Sequence, residues 1–385
     1  MKNEIVKKKF LNWTRISLWI FYALLIATWI LGFVRKENQW IAFAASVVFL
    51  PFIDLAIKRI NPKDDKTDIL RVPFKEFMMP WVAFWGLSSI ALTYWQTQTK
   101  DEYQKRQLEK NYNVLIKSLD SKIDSTRINA ISSLYKIANE NRDDYLYNVC
   151  DVFCSKIRNI TSSSSYKKDN DRSPSGDIQL IIDMLFKQKK DGLIFDRLMK
   201  NFSGAYLYGA DFGNATINKV DLRNATLSKA NFVSAKLQNT DFREAILNEN
   251  VNFENAVLDT VNFRYNTLTD VTFRKSTLRH VIFLTTKLTN VNFENAYFNV
   301  ANFNSSTMMD VSFIGADVTS VSFRNNSFKK VKFSNANFYN VDFWTKVKTS
   351  KEDVDFRGTM FADDDIEKIT SQNFTTRKSN LENTE

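Results

Sequence analysis

The chain has 385 residues, enough for two or three domains, and a formal net charge of +10. A positive charge of this size suits nucleic acid or an anionic membrane surface. Residues 201–350 hold sixteen Lys and Arg against twelve Asp and Glu, and this mixed surface argues against nucleic acid. Seven of the eight tryptophans lie in the first quarter, whereas phenylalanine recurs in the second half, so two differently built regions share the chain.

Three apolar runs in the first hundred residues predict transmembrane helices. They cover residues 16–34, 40–57 and 77–95, with tryptophans at or near their ends, as in the aromatic belts of membrane proteins. Nineteen helical residues at about 1.5 Å each span roughly 28 Å, close to the thickness of the hydrocarbon core. A cleaved signal peptide is the alternative for the first run, but two more runs follow it and signal peptides usually have shorter ones, which favours an uncleaved anchor.

The second run contains one acid, Asp54. An acid within a membrane span often marks an ion or proton path, so Asp54 is a candidate intramembrane functional residue. It also lies near the end of the run, beside Lys58 and Arg59. That position favours the alternative of an ion-paired carboxylate at the membrane interface.

Basic residues flank the apolar runs, and anionic lipid headgroups are their expected partners. Eleven precede the first run or lie between the second and third: Lys2, Lys7, Lys8, Lys9, Arg15, Lys58, Arg59, Lys63, Lys66, Arg71 and Lys75. Six lie on the other side of the runs: Arg35, Lys36, Lys100, Lys105, Arg106 and Lys110. This asymmetry favours an N-terminus inside and a large domain outside the membrane.

Residues 96–199 predict a polar helical stalk, with a short coiled coil as the weaker alternative, followed by a small helical cap. Within this region, residues 162–176 lack an apolar pattern and predict a flexible loop. Cys150 and Cys154 lie four residues apart in a helical pattern, which favours packing over a disulfide. A metal pair would need further ligands, and the single histidine, His280, is distant in the sequence.

A period of five residues dominates the chain from residue 202 onward. The central residue of each repeat, called i below, is apolar in all twenty-nine repeats between Phe202 and Phe343, and position i−2 is mostly Ala or Val. Neither a helix nor a strand has this period. A chain that turns a corner every five residues does, with i and i−2 pointing inward, and four such sides close one coil of about twenty residues.

These repeats resemble the pentapeptide-repeat family, whose motif A(D/N)LXX is matched at 210–212, 220–222 and 230–232. The resemblance covers roughly residues 200–345 and implies an all-β, right-handed quadrilateral β-helix of about seven coils. We place this domain at 200–362 and a helix or disordered tail at 363–385. At roughly 4.8 Å between stacked strands, the rod is about 35 Å long.

The order of parts resembles a recurrent bacterial membrane-protein layout, in which transmembrane α-helices and an all-α cap precede the repeats. This resemblance implies the bacterial inner membrane and a cytoplasmic repeat domain. The charges around the apolar runs favour the opposite side of the membrane. We favour the cytoplasmic side, because eleven against six is a narrow margin and the third span could be re-entrant. Solenoids also need caps, so the amphipathic helices before the repeats are expected to cover their open end.

A longer pattern within the repeats predicts how the core is filled. After Val251, repeats centred on Phe mostly alternate with repeats centred on Leu, which places Phe and Leu columns on alternate sides of the coil. One extra residue at 248–250 reads as a bulge at a corner. Lys200, Asn266 and Asn326 are exceptions at i−2, and the two asparagines need buried hydrogen-bond partners or a local distortion.

The sequence shows no phosphate-binding glycine loop and no nucleophile paired with His280, so we expect no enzyme, cofactor or metal site. The leading hypothesis is a membrane-tethered scaffold that binds a protein partner. The alternative is a membrane effector, pore-forming or membrane-disrupting, in which the spans form a homo-oligomer and the rod is a sensor. The candidate partner-binding residues are Arg264, Arg274, Lys275, Arg279, Lys287, Arg324, Lys329, Lys330 and Lys332. The alternative to partner binding is that these basic residues are solvated edge charges that prevent strand-to-strand aggregation.

Overall fold

The computed structural model describes residues 74–187, 192–342 and 354–361. The chain separates into two compact units, residues 1–108 and 109–385. Helix α1 (Phe74–Ser118) begins in the first unit and ends in the second. From Ser89 to Leu108 most of its side chains are exposed, and the polar stretch that begins at Gln96 is helical as predicted.

The structure corrects the prediction of a membrane-anchored protein. The runs at 16–34 and 40–57 and the acid Asp54 lie outside the described residues. The run at 77–95 falls within α1, which continues into a polar and charged stretch, and in the described ranges no helix has both the length and the apolar character to cross a bilayer. The transmembrane part of the predicted fold and the inner-membrane location are therefore wrong, and the predicted membrane tethering is not shown.

In the described part of the chain, four helices lie between α1 and the repeats and share an apolar core. They are α2 (Asp124–Glu140), α3 (Arg142–Thr161), α4 (Ser164–Asp169) and α5 (Gly176–Phe186). Leu134, Phe153 and Ile181 are fully buried between them, and both free cysteines are buried on α3. Helix α4 lies within the segment predicted as a loop, where Ser163 accepts a hydrogen bond from the backbone of Tyr166 and caps the helix.

Between residues 192 and 361, the described residues of the repeat region form seventeen short parallel strands. Their bounds are β1 Lys200–Asn201, β2 Thr216–Asp221, β3 Lys236–Asp241, β4 Ile246–Leu247, β5 Val251–Asn252, β6 Val257–Asn262, β7 Thr267–Thr272, β8 Thr277–Ile282, β9 Lys287–Asn292, β10 Tyr297–Asn302, β11 Thr307–Met309, β12 Asp317–Ser322, β13 Ser327–Lys329, β14 Val331–Lys332, β15 Asn337–Tyr339, β16 Val354–Asp355 and β17 Met360–Phe361. One sheet has nine strands in the order β1-β2-β3-β6-β8-β10-β12-β15-β17, and a second joins β13-β11-β9-β7-β4, with β5 paired to β7. Strands β14 and β16 form a separate pair.

The predicted inward positions are confirmed in the repeats centred on Phe202 to Phe338. All centres from Phe202 to Phe338 are buried, and so is every i−2 residue from Lys200 to Val341. Position i+2 has a left-handed backbone at each corner from Gly204 to Asn340. Asparagine is the commonest residue there because its short polar side chain tolerates this conformation better than most.

Two columns of stacked phenylalanines fill the core. One runs from Phe212 through Phe232 and Phe253 to Phe333, with neighbouring ring centroids 4.6–5.0 Å apart. The other contains Phe263, and its rings lie almost perpendicular to those of the first column. The predicted alternation of Phe and Leu columns is therefore present, and edge-to-face contacts join the two aromatic columns across the coil.

Each coil has four sides, which we number by their outward-pointing i−1 residues. Side 1 carries Thr216, Lys236, Val257, Thr277, Tyr297, Asp317, Asn337 and Met360. Side 2 carries Asn201, Asp221, Asp241, Asn262, Ile282, Asn302, Ser322 and Asp342. Side 3 carries Tyr206, Thr226, Ile246, Thr267, Lys287, Thr307 and Ser327. Side 4 carries Asp211, Asn231, Asn252, Thr272, Asn292, Ser312, Lys332 and Asp355.

The corner between sides 2 and 3 changes its hydrogen bonding along the rod. In the first coils the i−2 residue is Ala, and its N–H donates to the preceding centre, as from Ala245 to Phe242. After the extra residue at 248–250, the same buried column holds Asn266, Thr286, Ser306 and Asn326. Three of these four side chains supply hydrogen bonds at the corner. The Thr286 hydroxyl donates to the Phe263 carbonyl, and the Ser306 hydroxyl donates to the Phe283 carbonyl and accepts from the Thr286 N–H. The Asn326 amide oxygen accepts from the Ser306 N–H.

The helical cap covers the first coil, as the need to protect an open solenoid end predicts. The Gln179 side chain both donates to and accepts from the backbone of Asp211, so it takes the place of a neighbouring strand on side 4. Thr161 accepts from the backbone N–H of Tyr206 on side 3. Gly209 lies so close to the Arg172 carbonyl that a Cβ would come within 2.2 Å of that oxygen.

Candidate partner-binding side of the β-helix

The nine predicted basic residues do not share one side of the rod. Arg264 and Arg324 lie at the corner between sides 2 and 3, Lys287 is on side 3, and Lys332 is on side 4. Their sequence neighbours are separated because each five-residue step turns the chain onto a new side. Three of the nine are also neutralised by ion pairs: Arg274 with Glu254 at 3.6 Å, Arg324 with Asp342 at 2.5 Å and Lys330 with Asp310 at 3.8 Å.

Three of the nine do converge on side 1. Arg274 and Lys275 form the corner before Thr277, and Arg279 forms the corner after it, so all three flank one strand of the same coil. Lys275 has the left-handed backbone of a corner residue, which directs its side chain away from the core. The middle of side 1 therefore has a positive edge on both flanks.

Lys329, Lys330 and Lys332 converge elsewhere, at the lower end of side 4. Lys330 and Lys332 line a groove of about 510 Å³ whose other walls include Asn292, Asp310 and Ser312. This groove contains acids as well as lysines, so it has no dominant charge. It is a polar trough left by the short side chains of side 4, and it favours no class of ligand.

Side 2 is neutralised by its own corner residues. The carboxylate of Asp221 accepts two hydrogen bonds from the guanidinium of Arg223, and Asp241 is held by Arg243 in the same way. Burial raises the pKa of Asp221, but the hydrogen bonds from Arg223 outweigh burial, and its pKa lies below the usual value. These acids are therefore used within the fold and leave little charge for a partner.

Side 1 differs from the other sides by its exposed apolar side chains, which sequence reasoning missed. Seven large apolar side chains are exposed between residues 200 and 360 of the described chain. Five of them lie on side 1 or at the corner that follows it: Val257, Tyr297, Val300, Tyr339 and Met360. Apolar residues at these outward positions depart from the polar rule of the repeat, and that departure was the available signal.

Val300 adds a second observation on the same side. It has φ 58°, in the left-handed region that a β-branched residue rarely adopts, and its side chain is 45% exposed. The neighbouring corners of this column have His280 and Ser320. An exposed Val here costs backbone energy and gains no burial within the chain, which is the pattern expected where a binding surface requires the side chain.

Comparison with known proteins agrees with the repeat pattern. The family model for pentapeptide repeats matches in eight copies, over residues 200–224, 214–248, 267–304, 286–325 and 306–344. This family is generally structural or interaction-mediating and non-enzymatic, and no enzyme family is indicated. No functionally curated protein matches the chain.

Three solved structures illustrate the likeness. HetL, a pentapeptide-repeat protein involved in heterocyst differentiation regulation in the cyanobacterium Nostoc sp. strain PCC 7120, is 17% identical over 42% of this chain and 84% of its own, with a TM-score of 0.18. Full-length QnrB1, a plasmid-mediated fluoroquinolone resistance protein, is 16% identical over 43% and 96%, with a TM-score of 0.19. A pentapeptide-repeat protein from the Arabidopsis thaliana thylakoid lumen is 25% identical over 31% and 68%, with a TM-score of 0.14. These structures carry no argument about function, and the match to the family model for pentapeptide repeats lies within residues 200–344 of this chain.

Proposed function

We propose that this protein is a non-enzymatic interaction scaffold that binds a protein partner on side 1 of its β-helix. The concentration of exposed apolar side chains on this side carries the proposal, because monomeric surfaces seldom group them without a partner. Aromatic residues such as Tyr297 and Tyr339 are also enriched where proteins bind one another.

The chemistry of side 1 indicates what its partner presents. Val257 and Tyr297 offer apolar contact, while Lys275 and Arg279 offer positive charge at the edges of the same region. A protein surface with an apolar strip bordered by carboxylates is complementary to this arrangement. A nucleic-acid partner is disfavoured, because the charges of the repeats are mixed in sign and exposed apolar side chains do not bind phosphate groups.

A crosslinking capture with matched variants tests the proposal. The full chain, its Tyr297→Lys variant and a Lys287→Glu control would each be crosslinked in cells that express the chain, and captured proteins compared by mass spectrometry. We expect a partner that is captured by the native chain and the control and lost with Tyr297→Lys, since Lys287 lies on side 3. Capture that is lost equally in both variants, or in neither, would refute side 1 as the binding surface.

A further inference from the structure

We infer that the partner of side 1 is a second copy of this chain, packed face to face with the two rods antiparallel. The inference rests on the proposed function, since it names the occupant of the same side. Along side 1, charged and apolar residues follow one another in an order that matches the same side of a second copy running in the opposite direction.

The outward column of side 1 is centred on Thr277. Strand pairing places Val257 one coil above Thr277 and Tyr297 one coil below, with Lys236 two coils above and Asp317 two coils below. A two-fold axis in the interface at the level of Thr277 exchanges the two directions. Each Val257 then meets Tyr297 of the second copy, and each Lys236 meets Asp317 of the second copy, at two equivalent places as a two-fold interface requires.

The adjoining corner column follows the same symmetry. The axis brings Val300, the strained and exposed residue, opposite Thr260 of the second copy, whose methyl group provides apolar contact. Arg279 would face its own copy at the axis. Asp259 of the second copy lies one coil away from it and can accept the guanidinium; within one chain Asp259 already lies 3.3 Å from the His280 ring. Arg274 and Lys275, at the other edge of the same coil, would also face their own copies at the axis, and Glu254, one coil above, lies 3.6 Å from Arg274. These like-charge approaches therefore have an acid within one coil on both copies, Asp259 near Arg279 and Glu254 near Arg274.

The size of side 1 limits the strength of this contact. Six steps between Thr216 and Asn337, at about 4.8 Å each, give a column of about 29 Å. A strip of that length and one side's width lies at the low end of specific interfaces, so the dimer should be weak and dependent on concentration. In a weak interface, two symmetry-related ion pairs have a measurable share of the affinity.

Charge reversal separates this interface from any other mode of association. Sedimentation velocity over a concentration series would be run on the full chain, on Asp317→Lys, on Lys236→Asp, on the double variant and on Lys287→Asp as the control. Each single reversal places like charges together twice, so we expect the dissociation constant to rise at least about tenfold. The double variant should restore dimerisation, because the reversed charges again meet their opposites. An equimolar mixture of the two single variants should restore it as well.

Three results would overturn the inference: a native chain that stays monomeric at every concentration, association insensitive to the single reversals, or a double variant as weak as the singles. These outcomes differ from failure of the proposed function. If the native chain stays monomeric while Tyr297→Lys abolishes crosslinked capture of a different protein, side 1 is a binding surface and only the second copy is excluded. Circular dichroism of each variant checks that the outward substitutions leave the fold intact.

Discussion

The buried polar column between sides 2 and 3 makes a quantitative prediction at Ser306. Its hydroxyl donates to Phe283 at 2.6 Å and accepts from the Thr286 N–H at 2.9 Å, with the side chain 1% exposed. Ser306→Ala removes both bonds and leaves a buried N–H and C=O to find other partners. Two buried hydrogen bonds at about 1 kcal/mol each, plus the cost of unpaired groups, give a loss of about 2–4 kcal/mol in the free energy of unfolding.

Ser276→Ala is the matched control. Its hydroxyl also donates to a centre, Phe273, at 2.6 Å, but that carbonyl additionally accepts the Ser276 N–H at 3.1 Å. No buried backbone group is left alone, so we expect a loss of about 1 kcal/mol or less. Urea unfolding followed by far-UV circular dichroism would measure both variants, with unchanged m-values as the condition for comparing them.

Asn266 should show the opposite sign in the same column. Neither polar atom of its buried amide has a hydrogen-bond partner among the described residues, so Asn266→Ala removes an unsatisfied polar group and should leave stability unchanged or raise it.

If Ser306→Ala costs no more than Ser276→Ala, the corner has tightened into the direct turn bond seen at Ala256. The reasoning about side-chain hydrogen bonds at this corner would then be refuted.

Three further predictions test the core, the cap and its charges. Phe283→Asp should unfold the neighbouring coils, whereas Lys287→Asp should not, and equal effects in thermal unfolding would contradict the inward and outward positions. Gly209→Ala should lower the free energy of unfolding by more than about 2 kcal/mol, because its Cβ would collide with the Arg172 backbone. Gly204→Ala, with open space around it, should lower it by about 1 kcal/mol. Equal losses in urea unfolding would contradict the close approach at Gly209. For Asp177, burial raises the pKa, but its hydrogen bonds outweigh burial and the net pKa lies below the usual value. The ionised carboxylate therefore stabilises the fold above the unfolded-state pKa of about 4, and this stabilisation is lost as the pH falls below it. Asp177→Asn should flatten that part of the curve of stability against pH, and an unchanged curve would contradict this.

The repeat could be predicted in detail because its physical signal is local and redundant. Each centre and each i−2 residue must fit a narrow core, so the apolar positions disclose the phase without any long-range information. Even the extra residue appears as a shift of the phase, and the structure places it at a corner where Glu249 and Asn250 both have left-handed backbones. The Phe columns followed from the ten-residue alternation for the same reason.

The grouping of surface residues could not be predicted in the same way. Arg279 and Lys287 are close in the sequence but lie on either side of a coil, whereas Val257 and Tyr297 are forty residues apart and share one column. Only the strand register decides which outward residues are neighbours. Candidate residues chosen by sequence proximity were therefore scattered over all four sides.

The sequence also could not establish which buried polar residues find hydrogen-bond partners, or whether its apolar runs cross a membrane. Asn326 accepts a hydrogen bond from the Ser306 backbone as required, but Asn266 in the same column has no partner in the described chain, and composition does not distinguish the two. Apolar runs near the N-terminus suggested spans from length and hydropathy alone. In the described residues, α1 extends from the third run into a polar helix and meets no criterion for crossing a bilayer.

Reactivity of single introduced cysteines tests the binding side most directly. Thr277→Cys on side 1, Asn302→Cys on side 2, Thr307→Cys on side 3 and Asn292→Cys on side 4 place one outward thiol on each side, while the native Cys150 and Cys154 are buried. Labelling rates with a thiol reagent would be measured in dilute and in concentrated protein. We predict that only Thr277→Cys becomes protected at high concentration and forms a disulfide-linked dimer under mild oxidation. Equal protection on all four sides, or protection on another side alone, would contradict it.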